Sequence, residues 1–300
     1  MITHAARSHY GSRIPGRAPI PTAPFIIAMA VALAGLAATF VFFIKSTAGQ
    51  YVDESALVEA AVARRRIGAQ ASQVLDSLPA TSVVIAVIVV LFVTLARRRW
   101  KAAGIALAAM AGANLTTQLI KFGLPDRPDV GVTTLVLNSL PSGHSTIAAS
   151  AAAAVFLVVS PRWRPATAFV GGSYAVVAGV ATLINQWHRP SDVMAAFFIV
   201  ALWTSLAGLV ILRTGPEWNV WPGAHAHWAS RRWWSVACFL IALAAGILTA
   251  LILRSVAADP SASTTSFFLA GVGQIVVVGY GLALAGTVLL TFPVRRRSSR

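Results

Sequence analysis

Apolar runs broken by short polar or basic clusters make up most of this chain. They fall at about 25–44, 80–96, 102–120, 145–160, 166–187, 192–212, 235–256 and 267–292. A helix needs roughly 20 mostly apolar residues to cross a bilayer, so each run predicts one span, eight in all. The first run is longer than the roughly 7–15-residue core of a secretory signal and is read as a retained span. Residues 46–78 are more polar. Leu57, Val58, Ala61, Val62 and Leu75 fall partly at helical spacing among Glu59, Arg64, Arg65 and Arg66. That pattern predicts either an amphipathic helix lying on the membrane or a solvated loop helix.

Composition supports the membrane reading. Of the 300 residues 57% are hydrophobic and 11% charged, against about 25% charged in an ordinary soluble domain. The fold class expected is therefore an all-α integral membrane protein. Its net charge of +15 does not point to nucleic acid, because the basic residues are dispersed between apolar runs rather than gathered on one soluble face. Cys238 is the sole cysteine and lies in an apolar run, which rules out an intramolecular disulfide and a multi-cysteine metal site.

The basic clusters set an expected orientation. With the N-terminus in the cytoplasm, inward-facing segments hold 16 of the 24 Lys and Arg residues, as the positive-inside preference requires. Arg64, Arg65 and Arg66 then face outward, offset in sequence by Asp53, Glu54, Glu59 and Asp76. The expected organisation is a basic tail at 1–24, a six-span core at 25–213, a cytoplasmic Trp-rich connector at 214–233, a two-span hairpin at 234–292 and a second basic tail at 293–300.

On this topology three polar clusters share the extracytoplasmic face. Pro141-Ser142-Gly143-His144 opens the fourth run. A loop entering a helix offers unpaired N–H groups and the positive end of the dipole to an anion. There Gly143 allows close approach, Ser142 adds a hydroxyl, and His144 is placed to protonate a leaving oxygen. The bland alternative is an ordinary helix cap beside an interfacial histidine.

His188 and Asp192 are four apart, which places them on one helix face. Asp192 in that position holds one imidazole nitrogen and leaves the other as a nucleophile; the alternative is a capping carboxylate beside an interface histidine. Lys121 and Arg127 bring positive charge, and an outward Arg runs against the topology preference, so a phosphate-gripping role suits it. Asn114, Gln118 and Lys121 form one polar stripe on the third run, either leading into the cluster or joining helices.

Lys121 with Arg127-Pro128, Pro141 to His144, and His188 with Asp192 together resemble the type 2 phosphatidic acid phosphatase family, related to vanadium-dependent haloperoxidases. The likeness covers roughly 25–213. It implies a six-helix core, to which the last two spans are additional, and a lipid phosphatase activity. By the resemblance His188 attacks phosphorus, Asp192 holds it and His144 protonates the departing oxygen. Lys121, Arg127, Ser142 and Gly143 bind phosphate, with no metal and no cofactor. A lipid phosphate or diphosphate is the implied substrate, polyprenyl diphosphate first, at the outer face of the cell membrane. Transfer to another hydroxyl, and lipid-phosphate binding with little catalysis, are the alternative readings.

Two departures stand out. Five residues separate Lys121 from Arg127 where the family usually has six, and Asp126 stands next to Arg127 as a competitor. The family's Ser-Arg falls on Ala181-Thr182, so one phosphate-binding Arg is missing; such a contact is worth about 1.5–3 kcal/mol. Arg189 is the expected stand-in, with Asn185 a second candidate. His225-Ala226-His227 reads as connector surface, the connector tryptophans as an interfacial belt, and Gly171, Gly172, Gly179, Gly271, Gly273, Gly279 and Gly281 as close helix packing.

Overall fold

The computed structural model describes residues 22–124, 126–132, 138–221, 227–259, 263–291 and 295–296. Most of the two basic tails, together with His225-Ala226, lies outside them. Among the described residues the protein is built from eight α-helices: α1 Ala23–Lys45, α2 Thr47–Arg97, α3 Trp100–Gly123, α4 Gly143–Val158, α5 Arg164–Ile184, α6 Pro190–Thr214, α7 Trp233–Ala258 and α8 Ser266–Thr291. Seven are long and apolar enough to cross a membrane; α4, at 16 residues, is shorter. The only other pairing among the described residues is a two-residue parallel bridge, Val220–Trp221 with Arg295–Arg296.

Helix α2 corrects the sequence-based outline. Residues 46–78 and the second apolar run are one 51-residue helix with Pro79 inside it. At 1.5 Å per residue it is about 77 Å long, more than twice the hydrocarbon thickness. It starts immediately after α1, capped by the Ser46 hydroxyl, which accepts from Gly49 N at 3.0 Å. Gly49 is required there, because a Cβ would lie 2.0 Å from Phe42 O. The first turns of α2 then lie against the ends of α5 and α6. Gln186 Nε2 donates to Leu57 O at 2.9 Å, and Ala71, Leu75 and Leu78 pack with Ala148, Ala178 and Ala181.

The acids of this segment do not offset Arg64–Arg66 as the sequence suggested. Asp53 pairs with Arg127, and Glu54 with Arg189. Glu59 receives Phe268 N at 3.0 Å and the Ser263 hydroxyl at the start of α8, a carboxylate on a helix N-terminus. Arg64, Arg65 and Arg66 remain exposed.

Glycines let α8 press into the core. A Cβ on Gly271 would lie 2.6 Å from Pro190 and one on Gly279 2.4 Å from Val176, while Gly179 meets Val193 at 2.5 Å. Close packing is thus observed at these positions, but Gly281 has nothing within 4 Å. Polar side chains join other helices, as at Thr117–Thr146 (2.9 Å) and Asn114 Nδ2 to Ser150 Oγ (3.0 Å). Asn114 therefore serves as a link between α3 and α4.

The connector departs from the belt reading in one place. Trp218 is buried, donates to Leu157 O at 2.8 Å and stacks 3.8 Å from the Arg164 guanidinium. Arg164, taken from sequence as a topology signal, is itself fully buried. Trp228 and Trp233 are exposed, as a belt requires.

Candidate active site

The ends of α1, α3 and α5 and the starts of α2, α4 and α6 meet at one end of the bundle, where Asp192 joins the segments that lead into α4 and α6. Its side chain is fully buried. Pro190 begins α6, where its missing N–H costs nothing, and places Asp192 in the first turn. There Oδ2 accepts from His188 Nδ1 at 3.2 Å, from Arg189 N at 3.0 Å and from Ser139 Oγ at 2.6 Å. The capping and orienting readings of Asp192 are therefore both realised by one oxygen. The Asp192 carbonyl also receives Ser142 N at 2.9 Å. A single residue ties the nucleophile candidate to the glycine loop.

His188 is 7% exposed. With Nδ1 turned to Asp192, Nε2 is the ring nitrogen with no hydrogen bond among the described residues. The backbone before it is held by the Thr182 carbonyl, which takes Trp187 N at 3.0 Å and His188 N at 3.4 Å. The Thr182 hydroxyl is buried and bonded to Gly179 O at 2.7 Å. Position 182 thus shapes the histidine loop through its main chain.

Opposite lies the Pro141–His144 loop. The Ser142 oxygen caps α4 by accepting from Ser145 N at 3.3 Å, which leaves the Gly143 and His144 amides without an intrahelical acceptor. In front of Gly143 the space is open among the described residues: of these, an added Cβ would have only the Gln118 amide nitrogen near it, at 3.9 Å. His144 is half-buried, its ring centroid 5.4 Å from that of Trp187. Lys121 and Asp76 are the nearby charged side chains that act on it. Lys121, on the last turn of α3, makes no ion pair among the described residues.

Arg127 is buried. It donates to Asp53 Oδ2 at 3.1 Å and lies 3.8 Å from Asp192 Oδ1. Asp126, the competitor expected from sequence, is exposed and makes no ion pair among the described residues; Asp53 takes that role from α2. Asp53 also accepts from Ser191 N at 3.0 Å and Ser191 Oγ at 2.6 Å, locking α2 to the start of α6. Two buried atoms beside it, Arg127 Nε and Asp192 Oδ1, have no hydrogen-bond partner among the described residues.

Arg189 is buried, with Nε donating to Glu54 Oε2 at 2.7 Å and an Nη to Ser139 Oγ at 3.0 Å. Asn185, the other stand-in considered, faces α2 instead, within hydrogen-bonding distance of Gly68 and Ser72. It is a helix-to-helix link. Lys121, Arg127, Ser142, Gly143, His144, His188, Arg189 and Asp192 all belong to this one end of the molecule. Sequence reasoning missed Asp53, Glu54 and Ser139; the presence of four acids in 46–78 was the available signal, and it was assigned to the neighbouring arginines.

Residues 102–216, which contain both histidines, both arginines and the glycine loop, match the family model described as the PAP2 superfamily. This stretch is a PAP2 domain. Comparison with curated proteins and with solved structures finds no match. A PAP2 domain within a multi-span membrane protein indicates a phosphatase-type hydrolase of lipid phosphates. The domain begins at α3, so α1, α2, α7 and α8 lie outside the matched stretch, and with them Asp53 and Glu54.

Proposed function

We propose that this protein is a membrane-embedded lipid phosphatase working through a phosphohistidine at the extracytoplasmic face. The observation that carries the reading is Asp192 bonded at once to His188 Nδ1 and, through its carbonyl, to the amide of Ser142. His188 Nε2 attacks phosphorus, forming a P–N bond as the P–O bond to the lipid breaks. Asp192 stabilises the imidazolium that forms, and His144 gives its proton to the departing oxygen. Water then attacks the phosphohistidine, returns a proton to His144, breaks the P–N bond and frees phosphate.

Lys121, Arg127, Arg189, the Ser142 hydroxyl and the Gly143 amide stabilise charge on the phosphoryl oxygens. These groups make the mechanism independent of a metal. Polyprenyl diphosphate is the first substrate to try, ahead of phosphatidylglycerol phosphate and phosphatidate. An apolar cavity of about 800 Å³ among α1, α4, α5, α6 and α8 supports a lipid substrate. Its wall begins at Ala149 and Phe197, five residues below His144 and Asp192.

The test is phosphate release from a panel of lipid phosphates by the purified protein in detergent, with EDTA present. Release is expected from at least one lipid, unchanged by EDTA and lost in His188→Ala. Activity that survives His188→Ala, or that EDTA removes, overturns the mechanism.

A further inference from the structure

Phosphate sites ordinarily hold an excess of positive charge. In this one the two arginines, Arg127 and Arg189, meet three carboxylates (Asp53, Glu54 and Asp192). Two of those carboxylates come from α2, outside the matched domain, and they differ in kind. Asp53 has no exposed side-chain surface and three hydrogen-bond donors directed at it from two parts of the structure. It is a fixed strut. Glu54 keeps 12% of its side chain exposed and accepts from Arg189 alone among the described residues, at 2.7 Å. A carboxylate that reaches solvent and holds one guanidinium is a counter-ion able to compete with a second anion for that guanidinium.

Its partner matters most in this chain. Thr182 stands where the family has an arginine and its side chain is turned into α5. Arg189, next to His188, is the nearest arginine in sequence to the nucleophile candidate. Whatever Arg189 contributes to holding phosphate is opposed by Glu54.

We propose that Glu54 is a specificity-determining residue, a built-in competitor of phosphate for Arg189. It weakens binding of the free phosphate product and penalises substrates in proportion to their negative charge. The inference rests on the phosphatase reading for its biological meaning, but its physical content is anion affinity, which is measurable without turnover.

Binding of inorganic phosphate to the full-length protein in detergent is measured by titration calorimetry for the parent, Glu54→Gln and Glu54→Asp. Removing one charge from a charge-assisted pair is expected to tighten phosphate binding roughly tenfold in Glu54→Gln. Glu54→Asp, which keeps the charge, should stay near the parent. In turnover, Glu54→Gln should lower KM for a lipid diphosphate more than for the matching monophosphate, with stronger inhibition by added phosphate.

Unchanged or weaker phosphate binding in a folded Glu54→Gln protein, checked by its thermal unfolding, overturns the proposal and leaves Glu54 as a support for Arg189. Should Glu54→Gln fail to fold, Glu54→Ala is judged by the same criterion. Tightened binding without phosphate release from any lipid leaves the inference standing and removes the phosphatase reading, so the two failures are distinct.

Discussion

Asp192 concentrates the chemistry at the residue scale. One buried oxygen receives an imidazole, a backbone amide and a serine hydroxyl. An amide in its place keeps an acceptor but loses the charge that stabilises a protonated His188. Asp192→Asn is therefore expected to lower kcat by about 10²–10⁴ while changing KM little, read from steady-state phosphate release. A large KM rise with kcat preserved would place Asp192 in substrate binding instead. Two of the three partners of this oxygen were open to sequence reasoning because they are local: His188 and Arg189 lie within about one helical turn. Ser139 was not, since the loop before Pro141 carries no periodicity that says where its hydroxyl points.

At the scale of elements, α2 decides how the site is completed. Its length fuses a span with a polar segment that lies across the ends of α5 and α6. Asp53 pairs there with Arg127, both almost without exposed side-chain surface. Breaking a buried pair from one side leaves an uncompensated charge and costs about 3–5 kcal/mol. Asp53→Asn should lower the unfolding temperature in detergent clearly, whereas Asp126→Asn, at an exposed position, should leave it nearly unchanged. Equal effects from the two variants would mean that Asp53 does not anchor Arg127. The helical spacing of Leu57, Val58 and Leu75 was legible, but it fits a membrane surface, a solvated face and a packed interface equally well. Only the partners differ, and those lie some 74 and 135 residues away in sequence, as for Asp53–Arg127 and Glu54–Arg189.

At the scale of the molecule, alternation of the spans gathers the site at one end, and α8 presses into the core through Gly271 and Gly279. On the proposed orientation, which leaves most basic residues in the opposite loops, the site faces outward. A reporter fused near Gly131 should accordingly be found outside the cytoplasm; a cytoplasmic reporter would reverse the orientation and the lipid leaflet served.

The chain's own order of residues determined where the apolar helices lie, apart from the extent of α2, the helix starts at Ser142 and Pro190, and the His188–Asp192 pair, because each rests on hydrophobicity or on neighbours within a turn. Tertiary structure alone decided which charges meet. Arg127 and Arg189 read from sequence as free cations awaiting phosphate, yet each is held by a carboxylate from α2. Burial at low dielectric makes such pairing obligatory. Which acid supplies it depends on where a 51-residue helix comes to rest, and no local pattern in the sequence encodes that.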